Sequence, residues 1–289
     1  MTGFAWVLNL DADFELTRAG YTTSDKLRAD LARNGASARA LLGPDDVEIA
    51  PTTGKRAGAG YIGRAFCPTP RALRQLIAAG AQPEPAPPLA VLRLVNHRHF
   101  AHTLAMGLPH QRYAATRPAL DAILAIDQEP WLLKRPLTFA GRGQLRPSHP
   151  PTPKENSWID KSLRSDGLLV EPLVVPTCEV SLHGFIWRDG RHALGRICAQ
   201  SVSPSGVYLR IALATDNTLE PHEREAFTAA ATRVATALHA AGYFGPFGID
   251  GYRYTGAWGD GFCALSEINA RYTLGFAVGF PRPAHTLVL

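Results

Sequence analysis

Cysteine is scarce in this chain, and what there is does not pair. Four cysteines stand in 289 residues, Cys67, Cys178, Cys198 and Cys263, and none forms a CxxC motif. That excludes a zinc knuckle and a dense disulfide framework; reduced thiols in a cytoplasm are the simplest account. Long apolar runs are missing as well, and none approaches the roughly 20 residues that span a bilayer. The first residues, MTGFAWVLNLDAD, have no basic n-region and meet Asp11 early, so a signal peptide is not expected there. Charge of one sign is not concentrated anywhere. The formal net charge is +5, with Lys and Arg scattered along the chain. A nucleic-acid face is therefore not indicated, and a site for anionic ligands such as nucleotide phosphates explains the bias as well. The expectation is a soluble cytoplasmic protein with no nucleic-acid partner and no membrane partner.

Familiar catalytic signatures are absent too. There is no GxSxG elbow, and no cysteine lies in a recognisable Cys/His setting. The Walker spacing GxxxxGK[ST] does not occur. GAGYIG, residues 58–63, is a formal GxGxxG match. A dinucleotide fingerprint needs a strand just before it and a helix just after. Here Lys55 and Arg56 precede it and Pro68 and Pro70 follow, so it reads as a glycine-rich loop.

What is present is a globular composition, 46% hydrophobic and 19% charged, long enough for one or two domains with a substantial core. Apolar spacing predicts a buried first strand over 4–10, ending in the polar cluster Asn9, Asp11 and Asp13. Helices are expected over 23–34, with Ser24 as cap and Gly35 as stop, and over 70–80, 97–106, 117–126, 155–164 and 220–241. Strands are expected over 90–95, 131–134, 168–174 and 207–213. Asp189-Gly190 signals a hairpin between 179–188 and 192–201, and 247–254 pairs with 262–268 across a glycine-rich turn. Residues 44–68 read as loop with one short strand near 47–50, residues 82–88 as a stiff connector, and 147–154 as a mobile proline-rich loop. His97, His99 and His102 crowd one helix start; a shared metal and ordinary solvation are both open to them.

Four polar pieces stand out. In WLLKRPLTFAGRG, 131–143, Lys134 leaves a strand and a glycine loop follows. The backbone N–H groups of Gly141, Arg142 and Gly143 could approach phosphate oxygens there. In 168–174 the carboxylate of Glu171 interrupts an apolar strand, and a buried unpaired charge is costly. Asp250 interrupts GYFGPFGIDGYRY, 242–254, in the same way. In CALSEINARYTLG, 263–275, Glu267 and Asn269 are two apart on a strand and share a face. A carboxylate beside a carboxamide offers hard oxygen ligands for Mg²⁺. Arg271 adds a forked cation suited to phosphate or carboxylate. Read as structure alone, these groups are ion pairs at strand ends.

In that order the pieces resemble the ATP-grasp superfamily, over about residues 90–275. The resemblance implies an α/β (α+β) fold of three parts. These are an amino-terminal Rossmann-like α/β domain (1–95), a central lid subdomain (96–175) and a carboxy-terminal antiparallel-sheet subdomain with the metal site (176–289). It implies ATP and Mg²⁺ as cofactors. Lys134 and Gly141–Gly143 would contact phosphates. Backbone groups of Glu171 and Leu173 would face adenine, and Glu179 would hold the ribose. Asp250, Glu267 and Asn269 would hold Mg²⁺. Arg271 would steady the transferred group, with Lys134 the second catalytic cation. The upstream lysine common in the family is replaced by VNHRHF, where Arg98 is the permanent cation. The usual Pro-Gly after the Asn is replaced by Tyr272-Thr273-Leu274-Gly275. The activity implied is ATP-dependent joining of a small-molecule or peptide carboxylate to an amine. A small-molecule kinase and a catalytically inactive nucleotide-binding partner stay open, as does a homodimer.

Overall fold

The first apolar run, FAWV, is buried along its whole length, as a strand covered on both faces must be. In a computed structural model the chain is described over residues 3–18, 20–32, 35–126, 130–138, 143–202, 208–257, 259–280 and 287. The described residues form three sheets.

The first part runs β1 (Phe4–Val7), α1 (Ala12–Thr17), α2 (Asp25–Ala32), α3 (Gly35–Arg39), β2 (Val47–Glu48), β3 (Ile62–Ala65), α4 (Pro70–Ala78) and β4 (Gln82–Pro83). Its strands are parallel in the order β2-β1-β3-β4. Side chains of β1 alternate: Ala5 and Val7 meet Leu76 of α4, while Phe4 and Trp6 meet Phe66, Tyr272 and Phe276. Helices α5 (Leu89–Asn96) and α6 (Arg98–Thr103) follow. The second part is β5 (Arg112–Ala114), α7 (Arg117–Leu124), β6 (Trp131–Lys134), β7 (Gln144–Leu145), α8 (Pro153–Leu163) and β8 (Leu168–Pro172). Its antiparallel order is β5-β8-β6-β7. The third part is β9 (Val175–Ile186), β10 (His192–Leu194), β11 (Cys198–Val202), β12 (Tyr208–Leu213), α9 (Pro221–Ala240), β13 (Gly245–Thr255), β14 (Gly261–Asn269) and α10 (Phe276–Gly279). The antiparallel path is β12-β11-β9-β13-β14, with β10 on β9 across the Asp189-Gly190 turn. Helix α9 packs Phe227, Val234 and Leu238 on this sheet.

Several expectations are corrected. Residues 90–95 are not a strand but the body of α5. Leu92 and Val95 are buried at i and i+3 while Leu94 is half exposed, and a short apolar run does not by itself separate strand from helix. The loop expected over 44–68 contains β3, which lies beside β1 at the centre of its sheet. Arg64 hid this strand. It is 2% exposed, ion-pairs with Glu84 at 2.7 Å, and lies 3.4 Å from the Phe4 ring centre. The GAGYIG stretch thus runs into a strand instead of following one. Gly63 is needed for packing, since a Cβ there would sit 3.1 Å from Leu76. The strand expected over 192–201 breaks at Gly195, where a Cβ would meet the Gly279 carbonyl at 2.3 Å. The 147–154 loop is pinned to α8. Glu155 accepts from the Thr152 N–H (2.7 Å) and the Ser148 hydroxyl, closing a capping box. Among the described residues no helix is long and apolar enough to cross a membrane.

Candidate functional site

The antiparallel register of the third sheet stacks polar side chains on one face. Asp250 pairs with Glu267 on one side and Ser181 on the other, and Gly248 pairs with Asn269 and His183. Glu179, Ser181 and His183 follow each other at intervals of two along β9 and share that face. The pairing of β13 with β14 shifts register between Asp250 and Tyr252, next to the acidic pair.

Asp250 is the centre. Gln200 donates Nε2 to its Oδ1 at 2.8 Å, and Asn269 donates Nδ2 to its Oδ2 at 2.9 Å. Burial, and then the charge of Glu267, push the Asp250 carboxyl up to about 7. Glu267 is held by Arg98, whose Nη2 lies 2.9 Å from Oε1. The Nη1 of Arg98 donates to the Arg135 carbonyl (2.6 Å) and to Thr138 Oγ1 (2.8 Å). Arg98 is 6% exposed, so it ties the start of the 135–143 loop to Glu267 from behind. Whether it stands in for the family's upstream lysine was open in the sequence; its bonded partners here are protein groups.

Facing this sheet, Lys134 at the end of β6 pairs with Glu171 of β8 at 2.5 Å. Gln111 donates to the other oxygen of Glu171 at 2.7 Å. The carboxylate that interrupts the apolar strand is therefore compensated internally, by the same lysine expected to serve phosphates. The N–H of Leu173 donates to the Pro130 carbonyl at 2.8 Å, so this donor is not presented to a base as expected. Burial raises the Glu179 pKa, and the charge of Lys134 partly offsets it. Gly143 is left-handed (φ +68°) and its carbonyl accepts from the Arg135 N–H at 2.9 Å, closing the neck of the glycine loop. Gly141 and Arg142 lie outside the described residues.

Arg271 crosses to the first part of the chain. Its Nε and Nη2 grip Asp13 side-on at 3.3 and 2.8 Å, while among the described residues Nη1 has only a long 3.5 Å contact to the Tyr272 carbonyl. Burial opposes the charge, but Asp13 outweighs it and raises the guanidinium pKa. The histidines expected near 97–106 go elsewhere. His99 stacks on Tyr113 with ring centres 4.1 Å apart, and His102 bonds Gln111 at 3.0 Å. Among the described residues no group of three His, Cys, Asp or Glu is placed to hold a metal.

Lys134, Glu171, Glu179, Gln200 and the Asp250–Glu267–Asn269 set line one cleft of about 1120 Å³. No family model matches the chain, and no curated protein matches it. Solved structures do. N5-carboxyaminoimidazole ribonucleotide synthetase from Thermus thermophilus is similar at 19% identity, over 93% of this chain and 72% of that one, with a TM-score of 0.52. Biotin carboxylase from Campylobacter jejuni, solved as a β-γ-ATP complex, is similar at 10% identity over 98% and 72%, TM-score 0.57. The biotin carboxylase domain of Hydrogenobacter thermophilus 2-oxoglutarate carboxylase, with MgADP, ADP and bicarbonate, gives 13% over 96% and 66%, TM-score 0.56.

The chain has the ATP-grasp fold.

Residues of both antiparallel sheets line the cleft. The donor set fits a divalent cation of the hard class: two carboxylates and a carboxamide converge, and the buried carboxylate is charged only at a cost that a cation would remove. Sequence reasoning missed Gln200, Gln111 and the partner role of Asp13. Asp13 was visible as part of the polar cluster after the first strand. Gln200 carried no signal, because only the β11-β9-β13 adjacency brings it to Asp250.

Proposed function

We propose that this chain is an ATP-dependent ligase that activates a substrate carboxylate as an acyl phosphate for attack by an amine. The observation that carries the reading is the oxygen set Asp250–Glu267–Asn269 on one wall of the cleft, with Lys134 on the other. Solved neighbours bound to ATP, or to MgADP with bicarbonate, support a nucleotide in this position. A carboxylate oxygen of the substrate attacks the γ-phosphorus and ADP leaves. The amine nitrogen then attacks the acyl carbon and phosphate leaves.

The residues act mainly by position and charge. Asp250, Glu267 and Asn269 would hold Mg²⁺, which would neutralise phosphate charge when bound. Arg98 fixes the direction of Glu267. Lys134, kept in place by Glu171, offsets charge on the phosphates, and Arg271 does so on the carboxylate side. Residues 96–175 would form the lid, shielding the acyl phosphate from water.

The test is ADP formation that depends on an added carboxylic acid, measured in the presence of hydroxylamine. A ligase gives a hydroxamate, whereas a kinase leaves a stable phosphoester. Glu267→Gln is expected to lower turnover on the order of 100-fold or more while the chain still folds. Near-normal turnover in that variant removes the metal-site assignment.

A further inference from the structure

Beyond Asn269 the cleft changes character. Leu10, Leu31, Phe66 and Leu274 line it there, next to Arg271 and Thr273. Leu10 and Leu274 pack on the same aromatic cluster as Phe66, and the Tyr272 N–H donates to the Phe66 carbonyl at 3.0 Å. This wall stands at the carboxyl ends of β1 and β3. The strand order β2-β1-β3 reverses there, which is where open parallel sheets bind ligands.

The described acidic side chains that follow Leu10 in the chain already hold cations. Arg71 is held by Asp11 at 2.5 Å and by Glu15 at 3.1 Å. Arg271 is held by Asp13, and among the described residues its Nη1 is the end least engaged. One carboxylate can be taken at Nη1.

We infer that the acceptor is a carboxylic acid with an apolar carbon skeleton. Its carboxylate sits at Arg271 Nη1 beside Glu267 and Asn269, and its skeleton lies against Phe66, Leu10 and Leu274. This rests on the ligase reading above and names the substrate class of that same site.

The experiment uses the full chain with MgATP and hydroxylamine, and three groups of acids. These are hexanoate, phenylacetate and leucine; succinate and glutarate; and 3-phosphoglycerate. The first group is expected to give hydroxamate about tenfold faster than the others, or more. Leu274→Arg and Leu31→Lys, both at partly exposed positions, are expected to shift preference toward the dicarboxylates by about tenfold. Calorimetry with MgATP alone runs beside it. A chain that binds MgATP but prefers a dicarboxylate or the phosphorylated acid, uses no apolar acid, or keeps its preference in both variants overturns this inference and leaves the nucleotide reading intact. A chain that does not bind MgATP overturns both.

Discussion

Asp250 shows how one residue's identity and its surroundings divide the work. A carboxylate in an apolar strand announces itself in the sequence, because unpaired charge is rarely buried there. Glu171 announces itself by the same argument, yet the structure gives it a different answer: Lys134 and Gln111 satisfy it internally. Asp250 instead faces a second carboxylate, and burial with that charge raises it to about 7. A cation ligand must be deprotonated, so Mg²⁺ binding costs a proton below that value. Mg²⁺ affinity of the nucleotide-free chain is therefore expected to rise roughly tenfold between pH 6 and pH 8. Titration calorimetry at the two pH values checks it; equal affinities would mean Asp250 is already ionised or is no ligand.

At the level of elements, the strand and helix pattern of the third sheet was legible because its signals are local: Asp189-Gly190 for the hairpin, alternation for β13 and β14, a long amphipathic run for α9. Strand β3 was misread for the opposite reason. Arg64 needs Glu84 and the Phe4 ring to be tolerable in a strand, and those partners come from elsewhere in the chain. The close fit of α9 against β13 is likewise invisible locally. A Cβ on Gly251 would lie 2.8 Å from both the Cys263 carbonyl and the Phe227 ring. Gly251→Ala is expected to cost about 1–3 kcal/mol by overpacking beside Asp250. Urea unfolding measures it, and an unchanged midpoint with an unchanged slope would show that helix and strand can part without penalty.

Across the whole molecule, His183 joins the sheet that carries Asp250 to the segment that leads back to the first part of the chain. Its imidazole bonds Ser181 at 3.2 Å and Thr273 at 2.9 Å, and Gly248, Gly275 and Gly279 close around it. Burial lowers its pKa to about 3. The unfolded chain takes up that proton near its ordinary pKa of about 6.5, so the neutral folded form contributes stability above that pH and loses it as pH falls toward 3. The loss is on the order of 2 kcal/mol by pH 5. In urea unfolding, the stability gap between the wild type and His183→Gln is expected to narrow by that amount from pH 7.5 to pH 5. A pH-independent gap would assign His183 a packing role without a titration cost.

The sequence by itself determined the donor types and their order: Lys134, Glu171, Asp250, Glu267, Asn269 and Arg271. Period-two alternation alone put Glu267 and Asn269 on one face, because strand geometry is local. Only the tertiary structure decided which charge meets which. Lys134 went to Glu171, Arg98 to Glu267, and Arg271 to Asp13, 258 residues away along the chain. Electrostatic pairing depends on distance in space and on burial, and neither is written in the spacing of residues along a chain.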